Sequence, residues 1–287
     1  MASSIAETIL QGAHQLRRAG VPEARREAGS LLAYVLNCDR TFILSHAEDA
    51  ISDEQAERFR GFLDRRAQGE PLQYITANQE FFGLDFEVTK DVLIPRPETE
   101  LLIETALKLF PRSADVFFCD VGTGSGCIVV TLLHQLPQAR AVALDISPGA
   151  LAVARRNAAR HSVTERVDFI VSDCFAALSA RDPQPSFDLI VSNPPYVEEG
   201  AMASLQREVR DYEPRNALAA GPDGLAIIRR LLLEAPGFVK AGGYFLLEIG
   251  FNQAAAVEQL LDPRIWKLIR IYEDLQGIQR TVALERL

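Results

Sequence analysis

Asn193, Pro194, Pro195 and Tyr196 stand together at the end of a six-residue apolar run, 187–192, that reads as a buried strand. Two consecutive prolines cannot continue a sheet ladder, because proline lacks the N–H and fixes φ near −65°. The chain must therefore stop at the strand's carboxyl end and turn in a stiff, preset shape. In open α/β sheets that edge is where ligands bind. Held there are a carboxamide (Asn193), a backbone carbonyl aimed by proline geometry (Pro194) and an aromatic ring (Tyr196). Together they offer two hydrogen-bond acceptors and a flat surface, which suits a planar amide or amino group. An ordinary strand-ending turn with a Pro-Pro stop is the plainer alternative.

A second group surrounds a glycine loop. Asp120, Gly122, Thr123, Gly124, Ser125 and Gly126 follow one strand-like run and open a helix-like one. Glycines let backbone pass close to a ligand, and a helix N-terminus presents free N–H groups. Cys127 occupies the position where a dinucleotide fingerprint needs its third glycine, which counts against an NAD-dependent oxidoreductase. A loop of this kind preceded by an acid fits a ligand bearing both a carboxylate and an ammonium, with Asp120 near the cation. S-adenosylmethionine has such an amino-acid head. Asp145 ends the next strand and can accept both hydroxyls of a ribose. Asp173 follows the third strand and can accept an adenine amino proton, with Cys174 or Phe175 beside the ring. Polar residues often end strands, so any one of these acids alone says little. Four such groups at the ends of four successive strands say more.

These groups need a scaffold to hold them. From 115 onward strands and helices alternate: strands at 116–120, 141–145, 167–172, 187–192 and 243–248, helices at 127–136, 148–160 and 224–233, and a closing hairpin of 266–271 and 281–285. Alternation implies a mainly parallel doubly wound sheet, and two consecutive strands at its end imply one antiparallel member. Residues 1–70 read instead as a small helical bundle. Ser3 or Ser4 can cap a first helix running to Arg18, with Ile5, Ile9, Ala13 and Leu16 on one face. A second helix starts near Pro22, and a third at Ser52, where Ser52 and Gln55 have capping-box spacing. Residues 71–94, rich in strand formers and broken at Asn78 and Gly83, read as a β-hairpin linker to a catalytic domain over 95–287. Pro97, with Glu98 and Glu100, suits the first turn of a further helix.

Composition narrows the function. The chain of 287 residues has 48% hydrophobic and 24% charged residues, as soluble enzymes do. Its net charge is −9; residues 1–85 carry 9 basic against 13 acidic residues and the remainder 21 against 26. Neither part is a basic platform, which speaks against a nucleic-acid partner and suits a basic protein partner. No apolar run reaches 18 residues, so no membrane span is expected, and the N-terminus has no apolar signal region. Four cysteines without a C-x-x-C pair fit a reduced, cytoplasmic setting, and the four scattered histidines form no metal-ligand spacing.

The chain resembles the release-factor glutamine type of class I S-adenosylmethionine methyltransferases, the HemK/PrmC family, over nearly its whole length. The resemblance is carried by PLQYI at 71–75, IPRPETE at 94–100, DVGTGSGCI at 120–128, SNPPY at 192–196, YEPRNALAAGPDGL at 212–225 and DLQGIQR at 274–280. It implies an α/β fold: a seven-stranded Rossmann-like methyltransferase sheet with a small N-terminal helical bundle domain that recognises the substrate. It further implies methyl transfer from S-adenosylmethionine, leaving S-adenosylhomocysteine, to the glutamine side-chain amide of the Gly-Gly-Gln motif in class 1 peptide chain release factors. Asn193, Pro194, Pro195 and Tyr196 would then hold the substrate. The tetrapeptide alone is shared with methyltransferases of nucleic-acid exocyclic amines, and a sister family methylates a ribosomal protein glutamine; both remain alternatives. A decayed, non-catalytic adaptor is a third, opposed by the intact loop, Asp145 and the NPPY run.

Overall fold

The computed structural model describes residues 3–287, which divide into two units. The first comprises residues up to Asn78 together with Gln206–Tyr212. Its helices are α1 (Ile5–Arg18), α2 (Ala24–Leu36), α3 (Arg40–Ser45), α4 (Asp53–Ala67) and α5 (Leu72–Thr76), joined later in the chain by α10 (Arg207–Tyr212). Ser4 caps α1 and Ser52 caps α4, each in a reciprocal capping box, with Glu7 and Gln55 as partners. The apolar faces meet as expected: Ile5, Ala13 and Leu16 pack with Ala28, Leu31, Leu32, Phe59 and Leu63. Arg66 is buried among them, paired with Glu27 at 2.5 Å and with Glu208 of α10 at 2.7 Å. The Tyr212 hydroxyl donates to the Gln68 carbonyl at 3.2 Å, so α10 is fastened to this bundle at both ends.

The second unit contains the hairpin β1 (Asn78–Phe81) and β2 (Leu84–Glu87), followed by α6 (Glu100–Leu109), β3 (Phe117–Val121), α7 (Cys127–Gln135), β4 (Arg140–Asp145), α8 (Pro148–Arg160), β5 (Val167–Val171), α9 (Ala176–Ser179), β6 (Phe187–Ser192), α11 (Ala226–Glu234), β7 (Val239–Glu248), α12 (Ala254–Leu260), β8 (Trp266–Glu273) and β9 (Gln279–Arg286). Residues 71–94 are not one linker. Leu72–Thr76 turns as helix within the first unit, while Phe81 and Phe86 of the hairpin enter the core of the second. Between its strands Phe82 and Gly83 both take positive φ, the two-residue turn whose twist matches a hairpin.

The seven-stranded sheet has the order β5-β4-β3-β6-β7-β9-β8, and every strand is parallel except β9. Successive residues alternate between its faces. Phe118, Ala143, Leu189 and Val191 pack beneath α6, α7 and α8, whereas Cys119, Val121, Leu144 and Ile190 pack against α11 and its neighbours. Chain direction across the sheet reverses between β3 and β6, the topological switch point at which doubly wound sheets bind ligands. Val121 sits beside Ser192 in register, so the glycine loop and the Asn-Pro-Pro-Tyr run leave the sheet side by side.

Candidate active site

A cavity of about 330 Å³ opens over this switch point. Its wall includes Gly122, Thr123, Gly124, Ser125, Asp145, Asp173, Cys174, Asn193, Pro194 and Pro195. The volume falls in the range of small-molecule sites. Asp120, Gly126 and Tyr196 are not on the wall. Asp120 lies fully buried beneath the loop, where its Oδ2 accepts from the Thr123 hydroxyl at 2.6 Å and its Oδ1 lacks a hydrogen-bond partner. Burial pushes its carboxyl up to about 7. Gly126 caps α7, and Tyr196 is packed inward.

The carboxylate of Asp145 is tied by two backbone N–H groups, Gly124 at 2.8 Å on one oxygen and Ser147 at 2.8 Å on the other. Each oxygen keeps a lone pair, as a receptor for two vicinal hydroxyls requires. Gly124 has φ +54°, a region that favours glycine, and a Cβ there would meet no protein atom within 4 Å, so the space beside it belongs to the cavity. Asp173 is engaged already. Arg230 donates to its Oδ1 at 2.6 Å and to its carbonyl at 3.0 Å, so any ligand amino group must share this acid with a guanidinium. Cys174 follows in the left-handed region, φ +46°, and burial pushes its thiol up to about 11.

Asn193 is held from behind. Its Nδ2 donates to the Thr99 hydroxyl at 2.9 Å, which leaves Oδ1 as the free end of the carboxamide. Thr99 is 2% exposed and sits in the short 3₁₀ turn Pro97–Thr99. Behind it lies Glu248, at the end of β7 and 1% exposed. Burial pushes its carboxyl up to about 7. The Tyr196 hydroxyl stands 3.5 Å from Glu248 Oε1, and burial raises its pKa. The backbone of the run is clamped too: Gln253 donates to the Tyr196 carbonyl at 3.1 Å and to that of Gly224 at 3.2 Å.

Two further ties join stretches distant in sequence. Glu213 accepts from Arg96 at 2.6 Å and from the Ile94 N–H at 3.3 Å, bringing the 94–100 and 212–225 motifs together at one cavity wall. Asn157, wholly buried on α8, accepts from the Glu87 N–H and donates to the carbonyls of Glu87 and Ser125, pinning the hairpin to the glycine loop. None of Thr99, Glu248, Gln253 or Asn157 stood out from sequence as a site residue. Glu248 carried a signal, being an acid at the end of a buried strand, as Asp145 is.

A glycine loop, a tethered acid and a carboxamide at successive parallel strand ends define a methyltransferase. The solved hMettl16 catalytic domain in complex with a MAT2A 3′UTR hairpin shares the fold, with TM-score 0.56, 15% identity, and coverage of 88% of this chain and 90% of that one. Residues 7–76 match the PrmC N-terminal domain model and 97–211 the Methyltransferase small domain model. The release factor glutamine methyltransferase of Koribacter versatilis is 45% identical over 93% of each chain, and that of Geobacter sulfurreducens 43% identical over 93% of this chain and 92% of its own. The chain belongs to the release factor glutamine methyltransferase family.

Proposed function

We propose that the protein transfers a methyl group from S-adenosylmethionine to the side-chain amide nitrogen of a glutamine in the Gly-Gly-Gln motif of class 1 release factors. The observation that carries this reading is the carboxamide of Asn193, held through its Nδ2 by Thr99, in a residue that lines the same cavity as Asp145 and the glycine loop. The cavity suits the cofactor: Asp145 would take its ribose hydroxyls, the 122–125 backbone its amino-acid head, and Cys174 would lie beside its adenine. When bound, the cofactor supplies a sulfonium-activated methyl group.

A primary amide nitrogen is a poor nucleophile, because its lone pair is shared with the carbonyl. Asn193 Oδ1 and the Pro194 carbonyl accept its two N–H groups and fix the nitrogen's position, an effect that can supply much of a rate enhancement. The same two dipoles stabilise the positive charge that develops on nitrogen. Positioning of this kind needs no strong base beforehand, since the N–C bond forms as the C–S bond breaks and the N-methylated amide cation so produced is acidic and loses its extra proton to water. Pro195 stiffens the turn, and Tyr196, packed inward, supports it from below. The helical unit, which bears no comparable constellation, is the part we assign to gripping the release factor. The test is direct: a release factor is incubated with enzyme and cofactor, digested with trypsin and weighed. One added methyl on the Gly-Gly-Gln peptide is the expected outcome; an unmodified peptide with methylated nucleic acid in parallel would overturn the reading.

A further inference from the structure

We infer that Arg230 is a positioning residue: it holds the Asp173 carboxylate still against the base of the cofactor, and so makes the site select an adenosyl over an inosyl group. This rests on the cofactor reading proposed above and specifies how the base is recognised.

Adenine and hypoxanthine have nearly the same shape. They differ at one exocyclic position, where adenine carries an amino group that donates and hypoxanthine a carbonyl that accepts. A carboxylate beside that position welcomes the first and repels the second. It discriminates only if it cannot swing away from the wrong partner. Asp173 lines the cavity beside Cys174, just past the end of β5, and its side chain is 55% exposed, so its own burial does not hold it. Arg230 does. One arm of the guanidinium donates to Oδ1 at 2.6 Å and the other to the Asp173 carbonyl at 3.0 Å. Side chain and backbone of one residue are thus gripped by a single planar fork. The fork is itself held, because its Nε donates to Glu234 at 2.6 Å, one turn along α11. That helix is anchored by buried Ile228 and Leu231, and its Ile227 and Leu231 line the cavity. Asp173 Oδ2 accepts from no described residue and is the oxygen left for a ligand. The next residue, Cys174, has φ +46°, and Ser172 holds it there. Ser172 Oγ donates to the Cys174 carbonyl at 2.7 Å and accepts from the Ala177 N–H at 3.1 Å. Ser172 fixes the backbone of this turn and Arg230 its acid. An exposed ion pair adds little stability; what this one supplies is a fixed direction.

Two probes test this without turnover. S-adenosylhomocysteine and S-inosylhomocysteine, in which a carbonyl replaces the amino group, are titrated separately into the whole chain by calorimetry. The wild-type enzyme should prefer the adenosyl compound about tenfold or more, the scale of one hydrogen bond to a charged group. Arg230→Met frees Asp173 to turn away from a carbonyl, and should bring the two affinities to within about threefold of each other. A general loosening of the fold would weaken both alike, so the ratio separates positioning from scaffolding. Arg230→Lys keeps the charge but lacks the fork, and its ratio should stay near that of the methionine variant. Asp173→Ala marks the ratio when no acid is present. If Arg230→Met does not fold, Glu234→Gln, which loosens the fork from its other end, takes its place and should shift the ratio the same way by less. A wild-type ratio in Arg230→Met, or in the variant standing in for it, would overturn the inference. So would a ratio fully restored in Arg230→Lys, or one that Asp173→Ala leaves as in the wild type. A wild-type enzyme that binds neither compound defeats the cofactor reading instead.

Discussion

The proposed mechanism concentrates the chemistry in one side chain, Asn193. Removing one preorganised hydrogen bond from such a site costs about 10²–10³ in turnover. Asn193→Ala should therefore bind cofactor yet transfer methyl slower by that factor, read in single-turnover experiments at saturating cofactor and release factor. Tyr196→Phe should be much milder in the same experiment: its hydroxyl is 3.5 Å from Glu248 and off the cavity wall. Asp145→Ala should weaken S-adenosylmethionine binding at least tenfold in calorimetry. Each charge-assisted hydrogen bond it could offer is worth roughly 1.5–3 kcal/mol, and the change also frees the Gly124 N–H that steadies the loop. At this scale the sequence was most legible where a residue's own chemistry marked it. The paired prolines and the glycine run point at themselves. Thr99 does not, because a threonine acquires meaning only from what folding sets beside it.

Among the elements, the strands after 115 were legible because burial on both faces leaves continuous apolar runs that few other structures tolerate. The short helices were not. Leu72–Thr76 contains Tyr74, Ile75 and Thr76, all strand formers, yet coils because Tyr74 and Ile75 bury inward one after another. Helix α10 is six residues of alternating charge, too short for a periodic signal, and is held by tertiary contacts. Its anchor makes a prediction. Arg66→Met strands the buried carboxylate of Glu27, and loss of one partner of a buried ion pair costs about 3–5 kcal/mol. Glu208→Gln, at the more open end of the triad, should cost far less. Chemical denaturation of the two variants separates them, and equal losses would mean that Arg66 is not committed to Glu27.

For the molecule as a whole, two buried acids tie stability to pH. Asp120 and Glu248 have folded-state values near 7, against ordinary values of 3.8 and 4.5. Between those limits the folded chain holds protons that the unfolded chain has released, so stability falls as pH rises toward 7, and the loss is complete above it. Asp223 and Asp262, held down to about 2 by their arginines, work in the opposite direction but titrate well below neutrality. Thermal melting should therefore occur at a lower temperature at pH 8 than at pH 6, and Asp120→Asn should shrink the difference. The two-part organisation was legible as a change of periodicity. The return of 206–212 to the helical unit was not, because nothing local distinguishes a segment that rejoins an earlier unit from one that does not.

Strand β9 is made after β8 but lies inside it, between β8 and β7. A growing chain therefore cannot complete this sheet one strand at a time. When β8 leaves the ribosome there is no neighbour for it to join, and the outer edge of β7, which ends in Glu248, stays bare until Arg286 has followed. The last two strands must arrive as one ready-made ribbon. Synthesis thus imposes an interval in which the glycine loop and Asp145 already have their strands but the sheet beyond β7 is unfinished: on a nascent chain, the half of the site proposed for the cofactor can exist before the half proposed for the substrate is backed by its complete sheet.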